Sequence, residues 1–139
     1  MELRPSGARA WAGELLLAGP VVVVAALKVA RLERPGRAME LPQLLTALRG
    51  AGRLPQPLAR PECLVRATRR FLPWLPPRGM QACLKQSLIL LDLWARCGLP
   101  GRLHLGIAGG SRAAGRGHAW ATAPGFTTEP TGYIEIWNG

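Results

Sequence analysis

The chain has 139 residues, a formal net charge of +10 and 48% hydrophobic residues. That length suits one small domain, and that apolar content excludes a disordered polyelectrolyte. The charge is nearly all arginine, since Lys28 and Lys85 are the only lysines, and such a surface favours acidic partners. Nucleic acid is not among them: no aromatic residues interleave the arginines in a strand pattern, and no reading helix is evident.

In chain order, residues 1–9 form a polar start, and the spacing predicts a helix over Ala10–Leu32, kinked or restarted at Pro20. Within it lies an apolar run, Leu15–Leu27, of thirteen residues. That falls short of the ~20 needed to span a bilayer. No cleavage site follows, so a signal peptide is disfavoured. A buried core helix is the first reading and a membrane-surface helix the second. Residues 40–49, "ELPQLLTALR", make a short helix, with Leu41, Leu44, Leu45 and Leu48 at helical period. "GAGRLPQPLARP" is a linker by composition, "ECLVRATRRFL" (62–72) a third helix, and "PWLPPRG" ends it.

The fourth helix covers Ala82–Arg96. Lys85, Asp92 and Arg96 fall within about 40° of one another around it, a polar stripe, with Cys83, Ser87, Leu90 and Trp94 toward the core. "CGLPG" supplies its stop. The period then changes. "RLHLGIA" (102–108), "HAWATA" (118–123) and "YIEIW" (133–137) read as strands, with a glycine-rich loop after the first and a "PG" turn after the second. Helices followed by an antiparallel sheet is the order of an α+β domain. It is read as a single domain over 1–139, with a helical part at 1–60 and the remainder at 61–139.

The three cysteines, Cys63, Cys83 and Cys97, form no CxxC and no cluster with histidine. They suggest neither a disulfide framework nor a zinc site, and reduced cytosolic thiols are the better reading. On one helix, Cys83 and Cys97 would lie roughly 21 Å apart. Cys83 opens the fourth helix. Backbone N–H groups there stabilise negative charge and bias a cysteine toward thiolate, although free cysteine is also a common buried residue. Of the two histidines, His104 sits inside "LHLGI" with Leu103 and Leu105 facing the other way, the pattern of a structural imidazole. His118 opens a strand after the loop, beside the small Ala119, and is the better base. The third group, which orients the imidazole, should be acidic or an amide. Asp92 stands nine residues beyond Cys83, about 180° round the helix and roughly 13 Å along it, and cannot serve. Glu129, across a turn from His118, is the candidate, with Glu135 as fallback.

A cysteine on a helix, a histidine opening a strand and an acid after the next turn resemble the transglutaminase-like cysteine peptidases. "CLKQSLILLDLWARCGLPGRLHLGI", "HAW" and "TEPT" are more closely similar to the leader peptidases of lasso-peptide biosynthesis, the protease half of the split B protein. The resemblance covers about residues 60–137 and, more loosely, the apolar helices before them. It implies a transglutaminase-like or papain-like α+β fold with no cofactor or metal. Cys83 would be the nucleophile, His118 the base and then acid, and Glu129 the orienting acid where the family carries aspartate. An oxyanion hole would include the Cys83 N–H; its side-chain donor is not identifiable, and Gln81 stands only as a guess. The implied reaction removes the leader from a ribosomally made precursor before macrolactam formation. The implied partners are that precursor, a separate leader-recognition protein of winged-helix type and an ATP-dependent lasso cyclase. Location is expected to be cytoplasmic, with membrane-surface contact through the first helix only under the second reading of that helix. The rival readings are other acyl-transfer or peptidase chemistry on the same fold, and a non-catalytic membrane-associated or scaffold protein.

Overall fold

The computed structural model describes residues 3–32, 41–49, 61–108, 117–127 and 133–139. Helices α1 (Leu3–Leu32), α2 (Leu41–Arg49), α3 (Pro61–Phe71) and α4 (Ala82–Arg96) come first, with a 3-10 turn at Leu72–Trp74 between the last two. Strands β1 (Arg102–Ala108), β2 (Gly117–Ala123), β3 (Phe126–Thr127) and β4 (Tyr133–Asn138) follow. They pair antiparallel in the order β3-β2-β1-β4. The fold is α+β. Of the stretches read as a linker (50–61) and as a glycine-rich loop (109–117), all but Pro61, which opens α3, and Gly117, which opens β2, lie outside the described residues.

Helix α4 is the axis of the structure. Every residue from Ser87 to Trp94 is buried, more than two full turns, which no helix with one solvent face can achieve. Helices α1, α2 and α3 all pack on it, and so does the sheet through β2 and β1. The stripe expected to be polar is therefore not a solvent face. Asp92 is inaccessible and Lys85 buried. A buried charge survives only when paired or hydrogen-bonded, and both are. Asp92 accepts from Lys28 Nζ of α1 at 2.9 Å and from Arg96 Nε at 3.0 Å. Lys85 Nζ donates to the Leu75 carbonyl at 2.8 Å, tying the segment before α4 to its first turn.

The stop after α4 is a glycine-based C-cap. Gly98 has φ 79, the left-handed conformation that favours glycine. Its N–H bonds the Ala95 carbonyl at 3.1 Å, and the Leu99 N–H bonds that of Trp94 at 2.8 Å. Helix α1 differs from expectation. It begins at Leu3 and continues through Pro20. Pro20 is exposed, so its ring lies on the solvent side of the helix, where the lost hydrogen bond costs least.

In the sheet, β1 is central. His104 faces Trp120 and Gly106 faces His118 across β1–β2. On the β4 side a register shift between Leu105 and Gly106 sets Gly106 against Glu135. Alternation gives the sheet two chemistries. Leu103, Ala119 and Ala121 are buried in the core with α4. His104, His118, Trp120, Thr122 and Glu135 share the other face.

Candidate active site

Cys83 is the second residue of α4 and is half-buried. The N-cap, Gln81, makes no side-chain cap, and the first intrahelical bond runs from the Lys85 N–H to the Gln81 carbonyl at 2.9 Å. The N–H groups of Ala82, Cys83 and Leu84 therefore precede the helix's own hydrogen-bond ladder. Such groups, with the positive end of the helix dipole behind them, suit an anionic sulfur or a developing oxyanion. The thiol itself lies 4.0 Å from Gln81 Oε1, its hydrogen-bond acceptor. Ser87 Oγ donates to the Cys83 carbonyl at 2.7 Å, fixing the backbone that carries the thiol.

Beside this turn lies a pocket of about 220 Å³. Gln81 and Leu84 form its helical wall, and Leu105, Ile107, His118 and Ile136 belong to its sheet wall. His118 is thus at the pocket that Cys83's neighbours line. Its ring, however, is stacked toward Trp120, with centroids 6.5 Å apart and planes at 25°. That is the face of β2 opposite to Ala119 and Ala121, which meet the helical core. Residues on either side of Cys83 and the His118 imidazole thus border one pocket. Glu129 lies outside the described residues.

The fallback acid, Glu135, is engaged elsewhere. Its Oε1 is hydrogen-bonded to His104 Nδ1, and His104 Nε2 lies 2.7 Å from Thr122 Oγ1. An ionised carboxylate only accepts, so the Nδ1 proton lies between His104 and Glu135. The His104 ring also stacks on Trp120 at 5.5 Å and 7°. His104 is thus held on three sides. The polar cluster on this face is not visible in the local sequence pattern. Finding it required the pairing of β1 with β4, which are not consecutive strands.

The remaining thiols are set apart. All three cysteines are unbridged. Cys97 has its thiol pKa raised above the ordinary 9.0, first by burial and then by the nearby Glu62 carboxylate. Among the described residues no group of three or more His, Cys, Asp or Glu side chains could hold a metal ion.

Neither a curated protein nor a solved structure matches the chain. A family model described as the transglutaminase-like superfamily does match, over residues 21–129. That span takes in α4 with Cys83 and β2 with His118. By this match, and with an α+β fold built round a buried helix headed by cysteine, the chain belongs to the transglutaminase-like superfamily.

Proposed function

We propose that this protein is a cysteine peptidase that removes the leader from a lasso-peptide precursor before the macrolactam is closed. Cys83 is the nucleophile, His118 the base and then the acid, and Glu129 the group that orients the imidazole. The observation that carries this reading is the setting of Cys83. It stands in the uncapped first turn of the central helix of a transglutaminase-like domain, beside a pocket that also reaches His118.

The chemistry follows from those groups. Sγ attacks the carbonyl at the leader–core junction, and the C–N bond breaks as His118 delivers its proton to the departing core amine. Water, deprotonated by the same imidazole, then hydrolyses the thioester and releases the leader acid. The oxyanion of each tetrahedral intermediate is met by backbone N–H groups of the first turn of α4. For proton transfer His118 must turn from Trp120 toward the thiol. The adjoining Gly117 is where β2 begins and where the backbone can most readily turn.

The reading includes a separate winged-helix leader-recognition protein acting in trans and an ATP-dependent cyclase acting on the released core. Its test is incubation of the protein with its precursor and recognition partner, followed by mass spectrometry. Two fragments related by addition of one water are expected, together with an acid-stable leader adduct on Cys83. Intact precursor in the presence of active partners, or undiminished cleavage by Cys83→Ala, would overturn the assignment. A leader that gains an amine rather than water would identify acyl transfer instead.

A further inference from the structure

Helix α1 is apolar on both sides. Ala18, Val22, Ala25, Ala26 and Val29 face the core, at most 4% exposed. On the opposite side Leu16 is 78% exposed, Leu17 57%, Val23 41%, Val24 54% and Leu27 50%. At 100° per residue these five cover about 120° of the helix, centred opposite the buried set. They run for roughly 17 Å along the axis. A helix that only shields a core carries polar residues there, so this face is built to be covered.

Cations border the stripe. Arg31 is exposed one turn beyond Leu27. On one flank Arg96 joins Pro20, Val21 and Val24 in lining a notch of about 200 Å³. On the other, Phe71 lies 3.7 Å from where a Gly19 Cβ would stand, which brings the end of α3 alongside the same stretch of α1. Next to Phe71, Arg70 is exposed, with its guanidinium carbon 5.9 Å from the centroid of the Trp74 ring. That indole is 67% exposed. Leucine and valine in a stripe on α1, with arginines and an exposed tryptophan on neighbouring elements, match the requirements of a bilayer interface.

We propose that the outer face of α1, with Trp74, docks the protein in the interfacial plane of an anionic lipid bilayer. The helix lies on the membrane: no described helix is long and apolar enough to cross one. Charge selects this occupant. With a net charge of +10, two copies pairing along α1 would bring two strongly positive surfaces together. Anionic headgroups above an acyl layer offer apolar depth and negative charge in one surface. The inference is independent of the chemistry at Cys83.

The test is co-sedimentation of the full chain with vesicles of phosphatidylcholine alone or mixed with phosphatidylglycerol. The wild type should partition onto the anionic vesicles and far less onto the neutral ones. Leu17→Glu/Val24→Glu, at two exposed positions, should weaken partitioning at least about tenfold with an unchanged circular dichroism spectrum. Quenching by brominated phosphatidylglycerol, taken as the difference between wild type and Trp74→Phe, should show the Trp74 ring among the lipids, and this readout stands even if the double variant fails to fold. No partitioning onto anionic vesicles, equal partitioning by a folded double variant, or an unquenched Trp74 would overturn the proposal. So would a dimer by light scattering that the double variant abolishes while lipid binding is absent.

Discussion

The two ends of α4 carry the same side chain in opposite settings. Cys83 lies at the N-terminal end, among N–H groups not yet taken by the helix and beside a pocket. Cys97 is the C-cap, where its own N–H is bonded to the Leu93 carbonyl at 3.1 Å. There burial, and after it the Glu62 carboxylate, hold the thiol in its protonated form. A helix presents donors at one end and acceptors at the other, so position along α4 gives the two thiols different surroundings.

The contrast is broken most completely by exchanging which thiol is removed. Cys83→Ala should lower precursor cleavage at least about 1,000-fold, while Cys97→Ala should stay within about twofold in the same mass-spectrometric assay. Next in size is a change that disturbs both ends together. Asp92 anchors the middle of α4 to Lys28 and Arg96, and its removal leaves two cations around a site that had no solvent access. Asp92→Ala should cost about 3 kcal/mol of stability in urea denaturation.

The smallest effect sharpens the comparison through pH. The Cys97 pKa is raised in the folded state, so between 9.0 and that raised value the folded chain keeps a proton that the unfolded chain has lost. Stability contributed by this thiol is complete below pH 9.0 and declines as pH rises through the folded pKa. Denaturation midpoints measured from pH 8 to pH 10 should fall more steeply for the wild type than for Cys97→Ala.

The sequence disclosed what depends on local pattern. Helix α4 has the bounds read from its period and its "CGLPG" stop, and three of the four strands follow from apolar alternation and the proline–glycine turn. Its hidden features depend on distant partners. Asp92 reads as a surface charge until α1 brings Lys28 to it. Glu135 reads as a spare acid for His118 until the shifted register of β4 on β1 delivers it to His104. The setting of His118 was partly legible. In "GHAWATA" the alternating alanines are the natural core residues, which places the imidazole with Trp120 on the other face, as the ring stacking shows. The position of α4's first turn beside that strand was not, because it comes from packing across the sheet. Glu129 lies outside the described residues, so its role rests on resemblance alone.

The central claim is that Cys83 and His118 act as one unit, and thiol-specific alkylation tests it without a substrate. Iodoacetamide labelling at pH 7, read cysteine by cysteine after proteolysis, should modify Cys83 at least about tenfold faster than Cys97. His118→Ala should slow Cys83 toward the Cys97 rate and leave Cys97 unchanged. Equal rates at the two ends of α4, or a Cys83 rate indifferent to His118→Ala, would contradict the account.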